Sequence, residues 1–69
     1  MNAVEIIYTN WKGVTATRTI QPIEIWFGAT DYHPTEQWLL KALDIKKNEQ
    51  RDFALQDVQS WQPVIDKKH

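Results

Sequence analysis

The sequence predicts a single, mainly β domain of antiparallel strands, and three observations carry that prediction. Val4 to Asn10 alternates, with Val4, Ile6 and Tyr8 on one face of a stretch rich in β-branched and aromatic residues. Trp11-Lys12-Gly13 is short enough to close a hairpin, with a glycine free to take positive φ, and Val14 to Ile20 alternates again beyond it. A chain of 69 residues has room for one such domain.

Taken in order, the first strand carries Ile7 against the strict alternation. The second places Thr15, Thr17 and Thr19 on one face and Val14, Ala16, Arg18 and Ile20 on the other. Pro22 lacks a donor and marks that strand's end; after it Ile23, Ile25 and Phe27 face one way and Glu24 and Trp26 the other, as far as Gly28. Ala29 to Gln37, with Asp31 and Pro34, reads as the longest loop. Glu36 to Gln50 is ambiguous. Trp38, Leu39, Ala42, Leu43 and Ile45 fall at helical spacing, and Pro34 with Glu36 suits a helix start, so periodicity alone tips towards a helix. Asp44 to Gln50 reads as a polar turn, and Arg51 to Leu55 as a short strand with Arg51, Phe53 and Leu55 on one face. Gln56 to Trp61 reads as a turn of helix before Pro63. Trp61, Val64 and Ile65 are apolar enough to dock, and Asp66 to His69 reads as a frayed end.

Composition removes several function classes. The net charge of -1, with both signs interspersed, gives no overall electrostatic footprint for constitutive nucleic-acid binding. No apolar run is long enough to span a membrane and no basic-then-apolar leader opens the chain, so the expected location is the cytoplasm. His33 and Asp31 with a terminal His69 fall short of a metal site, Ser60 has no nucleophile elbow around it, and Gly13 and Gly28 cannot build a phosphate loop. A non-catalytic protein without metal or cofactor is therefore expected. With no cysteine to staple a thin core, stability has to come from packing, to which four tryptophans contribute, or from self-association as a homo-oligomer.

Arg18 and Arg51 are the candidate site residues. Each sits among apolar neighbours on its strand face, where a guanidinium must reach a carboxylate such as Glu5, Glu24, Asp44 or Asp52, or the rim, or a bound anion. Both outcomes are open at this point. Tyr8, Trp38 and Phe53 are either ordinary core or the aromatic lining of such a site. Lys46-Lys47 and Lys67-Lys68 read as a solvated turn and tail.

The ordered series Ile6, Tyr8, Gly13, Arg18, Ile20, Pro22, Ile25, Trp38-Leu39-Leu40, Asp44, Arg51-Asp52-Phe53-Ala54-Leu55 and Val58 resembles the WYL domain, an effector-binding domain of bacterial and phage regulators. The resemblance implies a small five-stranded antiparallel barrel, SH3-like or Sm-like, over residues 1–59 with a C-terminal tail at 60–69. It also implies that Gln37 to Leu43 is a strand. It further implies a regulatory module in which Arg18 and Arg51 hold an anionic effector, a nucleotide-like molecule or single-stranded nucleic acid, with Tyr8, Trp38 and Phe53 stacking around it. Leu39 stands where the family has its tyrosine, replacing a hydroxyl with a group that packs. No helix-turn-helix precedes the domain, so the expectation is a stand-alone module and not a complete transcription regulator. The alternative function is a protein-interaction or self-association domain working through exposed strand edges and Trp11, Trp26 and Trp61.

Overall fold

The computed structural model describes residues 3–64. Five strands, β1 (Val4–Thr9), β2 (Thr15–Gly28), β3 (Gln37–Asp44), β4 (Glu49–Ala54) and β5 (Val58–Pro63), form one antiparallel sheet in the order β4-β3-β2-β1-β5. A single 3₁₀ turn at Leu55–Asp57 leads into β5. The expected mainly β, five-stranded antiparallel architecture is the one adopted. The sheet is not closed, however: β4 and β5 are its two edges, and a barrel goes further than this open ladder does.

The β1–β2 hairpin is fixed by its turn chemistry. The Asn10 side-chain oxygen accepts the N–H groups of Lys12 (2.9 Å) and Val14 (3.0 Å), and Gly13, at φ 83°, donates its N–H to the Asn10 carbonyl. Thr15 to Ile20 then pairs with β1, and Ile20 to Gly28 pairs with β3, so Ile20 faces both Val4 and Asp44. The strand therefore does not end at Pro22. Proline removes one donor, and the chain absorbs this by a register shift between Pro22 and Glu24 that leaves Ile23 unpaired as a bulge. One strand of 14 residues serves both halves of the sheet, and its bulge supplies a local bend.

β3 is the strand that periodicity mistakes for a helix. It lies at the middle of the β4-β3-β2 half, with Leu40, Ala42 and Asp44 buried on one face and Leu39 on the other, so Leu39 and Leu40 sit side by side in sequence with each side chain sealed on a different face. Towards one face, Leu40 and Ala42 join Ile6, Tyr8, Ile20 and Phe53 in the main core, with Val4, Leu55 and Val58 packed against it. On the other face, Leu39 stands between Trp26 of β2 and Ala54 of β4. The Trp26 indole crosses over β3 and donates from Nε1 to Asp52 Oδ1 at 2.8 Å. A Cβ at Gly28 would collide with that indole, which explains why a glycine ends β2.

Three other boundaries differ from the sequence reading. β4 begins at Glu49, before Arg51, and ends at Ala54. The turn of helix expected at Gln56 to Trp61 is the short 3₁₀ turn followed by a strand, and residues 60–63 of the expected tail are the end of β5, paired to Val4, Glu5, Ile6 and Ile7. The docking of Ile65 and the frayed end at Asp66 to His69 lie outside the described residues. Among the described residues, no helix is long and apolar enough to cross a membrane.

Candidate functional site

The core face of the sheet carries an open hollow of ≈ 780 Å³ beside the tip of the β1–β2 hairpin and the β4 strand, and both candidate arginines line it. Arg18 reaches it from β2, where register places it next to Ile6, and Arg51 from β4, where register places it next to Ala42. Tyr8 and Phe53 line it as well. These two rings meet edge to face, with centroids 4.9 Å apart.

Each guanidinium also has a carboxylate. Arg18 Nη1 lies 3.3 Å from Asp44 Oδ2, a buried side chain whose other oxygen accepts the Lys47 N–H at 3.3 Å and so holds the β3–β4 turn. Asn48 completes that turn with φ 54°, a conformation asparagine tolerates better than most residues. Arg51 Nη2 lies 3.1 Å from Glu49 Oε1, and both of these side chains are exposed. The two outcomes posed by the sequence therefore coexist: the arginines share one hollow, and each is paired. They differ in what is left over. Arg18 Nε is buried with no hydrogen-bond partner, whereas Arg51 is open to solvent.

Tyr8 holds the floor. Its Oη accepts the Ala54 N–H at 3.1 Å, a backbone group of the β4 edge, across 46 residues of sequence. Burial pushes the phenol above its ordinary pKa, an effect that Asp57 adds to and that the Ala54 hydrogen bond and Arg18 partly offset. The loop between β2 and β3 brings His33 to the same edge, with Nε2 3.2 Å from the Asp52 carbonyl, while His33 and Thr30 exchange backbone hydrogen bonds within the loop.

Trp38 is not part of this site. It pairs with Phe27 at the far end of β3, edge to face at 5.2 Å, and does not line the hollow. Its expected role beside the arginines is corrected accordingly. Leu39 is fully buried on the opposite face, so a hydroxyl at this position would not have reached the hollow in this chain. Sequence reasoning missed Trp11, Lys12, Tyr32 and Lys47, all of which line the hollow from turns and loops. Two of them carried a signal: Trp11 and Tyr32 are large aromatics in connections, where no core claims them, and they are 68% and 73% exposed. Lys47 is the exposed turn residue that the sequence predicts, and it lines the hollow from that turn.

The hollow brings together four cations, Lys12, Arg18, Lys47 and Arg51, against two carboxylates, Glu49 and Asp52, in a chain whose net charge is -1. Such an arrangement can hold an anion with charge-assisted donors and offer aromatic faces to a planar group. Among the described residues, no three His, Cys, Asp or Glu side chains gather as metal ligands. Set against known proteins, the chain matches no family model, no curated protein and no solved structure.

Proposed function

We propose that the chain is a non-catalytic, regulatory binding module of the WYL kind, acting in the cytoplasm, whose hollow takes an anionic ligand: a nucleotide-like molecule or single-stranded nucleic acid. The observation that carries this reading is the meeting of Arg18 and Arg51, 33 positions apart in sequence (51 − 18), in one open hollow floored by Tyr8 and Phe53. The Arg18 side chain keeps part of its surface open and lines the hollow beside its pairing with Asp44, so a cation is held in place there. Trp11 and Tyr32 stand exposed at its margin, suited to stacking.

The test is a titration with short single-stranded oligonucleotides and with cyclic and linear nucleotides, followed by tryptophan fluorescence, since Trp11 lines the hollow. Saturable binding that weakens with salt is expected, because phosphate neutralisation releases counterions. Arg51→Ala removes an exposed guanidinium without stranding a buried carboxylate and should weaken binding by about tenfold, the loss of one charge-assisted contact. Binding that ignores the substitution overturns the site. The stripe of exposed apolar side chains on β2 and β5 favours a second reading, association with a protein surface, which does not compete for the hollow.

A further inference from the structure

His33 lines the same hollow as the two arginines. It sits half-buried in the loop between β2 and β3, and that loop fixes its backbone. Its N–H reaches both the carbonyl (3.1 Å) and the Oγ1 (3.0 Å) of Thr30, and its own carbonyl accepts the Thr30 N–H at 2.9 Å. The ring is held as well, by the 3.2 Å contact between Nε2 and the Asp52 carbonyl on β4. A carbonyl oxygen only accepts, so Nε2 carries the proton of the neutral ring and Nδ1 keeps a lone pair. Nδ1 meets no partner among the described residues and is not one of their buried unpartnered atoms, so solvent reaches it.

The charges around the ring come from several elements. Arg18 of β2, Arg51 of β4, and Lys12 and Lys47 of the turns face Glu49 and Asp52 of β4 across the hollow. The phenols of Tyr8 and Tyr32 line it too, whereas Asp31, in the loop itself, does not. To an anion seated among these groups a neutral imidazole offers at Nδ1 only another acceptor. An imidazolium offers a charge-assisted donor. Imidazole is also the side chain whose ordinary titration falls between about pH 5 and 8. Carboxylates ordinarily titrate below that range and lysines, arginines and phenols above it, and burial moves the Tyr8 phenol further up.

We propose that His33 is a binding residue of the hollow that contacts the anion in its protonated form, so that the module takes up a proton as it binds and holds its ligand more tightly in mildly acidic solution. This role rests on the anion-binding reading of the hollow. The Nε2 proton stays on the Asp52 carbonyl throughout, and the added proton goes to Nδ1, from which it is donated to a phosphate oxygen of the ligand. The sign follows from reciprocity: the bound anion favours the charged ring, and the charged ring favours the anion. Affinity therefore rises as pH falls through the imidazole range.

The test uses a short oligothymidylate, whose diester phosphates and bases keep their charge across that range and add no titration of their own. Its affinity for the full chain is followed by tryptophan fluorescence from about pH 8.5 to about pH 5.5 at fixed ionic strength. Calorimetry in two buffers of different ionisation heat counts the protons taken up. Affinity should be about tenfold higher at the acidic end, the worth of one charge-assisted contact, with net proton uptake at about pH 7. His33→Gln keeps an N–H for the Asp52 carbonyl and does not titrate, so it should bind as the native chain does at the alkaline end, with a flat profile. His69→Gln, at the chain's other histidine, should keep the native profile. If His33→Gln does not fold, the ring nitrogen resonances of the native chain decide the matter, and Nδ1 should pass from bare to protonated when the oligothymidylate is added. Binding that is indifferent to pH overturns the proposal and leaves the hollow standing as a binding site. So does a pH dependence that persists in His33→Gln, or an Nδ1 that stays bare in the complex. No binding at any pH overturns the anion-binding reading and this role with it.

Discussion

The β4 and β5 edges have equal length and opposite treatment. β4 is partly latched by side chains of its own chain: Tyr8 takes the Ala54 N–H, His33 meets the Asp52 carbonyl, and the Trp26 indole is tied to the Asp52 side chain. It is also charged, with Glu49, Arg51 and Asp52 among its six residues. β5 has no charge, and its only side-chain hydrogen bond among the described residues is from Gln59 to Thr9, on the strand it already pairs with. Charge and latching blunt the β4 edge against pairing with another chain, whereas on β5 that part falls to Pro63, which has no N–H, and to the bulge opposite Tyr8. The difference teaches that a small sheet can spend its long-range contacts on one side only. Here that side carries the polar hollow, so the contacts that latch the edge also set the positions of Arg18, Arg51, Tyr8 and Phe53.

The largest expected effect separates the two sides by their aromatic residues. Phe53 is buried in the main core against Tyr8, and Phe53→Ala should cost about 3–5 kcal/mol, the usual range for a buried phenylalanine. For a chain of this size that approaches the whole stability, so loss of a cooperative urea transition is the expected outcome. Trp61→Ala removes a larger ring, but from a half-exposed position on β5. In dilute solution it should shift the urea midpoint by the equivalent of about 1 kcal/mol or less. Equal costs for the two substitutions would erase the asymmetry between the edges.

The same asymmetry decides what the sequence could reveal. β1 and the hairpin were legible because Ile6 and Tyr8 are buried with Ile7 exposed between them, which gives the period-two signal, and because Asn10 and Gly13 carry the turn chemistry. β3 was not legible, because Leu39 and Leu40 are buried in succession on opposite faces and, with Trp38, Ala42, Leu43 and Ile45, fall into helical spacing. β5 was hidden for the opposite reason: five of its six residues are exposed, so nothing apolar marks an inner face. Within the site, Arg18 and Arg51 stood out because a cation among apolar residues demands an explanation. Trp38 was misplaced because sequence shows that a residue is aromatic but not where along a strand the hollow ends. Lys12 and Lys47 entered the site through the folding of turns, which no local pattern encodes.

Tyr8→Phe tests the latch with an intermediate effect. The ring still packs against Phe53, but the Ala54 N–H at the β4 edge loses its acceptor, which should cost about 1–3 kcal/mol. The variant also removes a pH dependence whose sign is fixed. The folded phenol titrates above its unfolded value of about 10, because burial disfavours the phenolate. Below the unfolded pKa both states are protonated and the contribution is whole. As pH rises through the unfolded and then the folded pKa, the unfolded chain gives up its proton first and stability falls. The native chain should therefore lose stability on the alkaline side more steeply than Tyr8→Phe, as measured by urea midpoints across that range. Parallel alkaline slopes for the two proteins would mean that Tyr8 is not the buried latch described here.

The smallest expected effect sharpens the contrast between the two arginines. Arg51 and Glu49 are both exposed and two residues apart on β4, so their pairing contributes little to stability, within about 0.2–1 kcal/mol. Glu49→Gln keeps a side-chain oxygen within reach of Arg51 and removes only the negative charge from the hollow. The urea midpoint should hardly move. Anion binding should tighten by up to about fivefold, the same energy now available to a ligand. The change should also shrink as salt is added, because exposed charges are screened. No comparable gain is open at Arg18, whose carboxylate partner is buried and also holds the Lys47 N–H, so releasing that guanidinium means loosening the β3–β4 turn. A Glu49→Gln protein that binds oligonucleotide no better than the native chain would show that Arg51, although it lines the hollow, does not face the ligand.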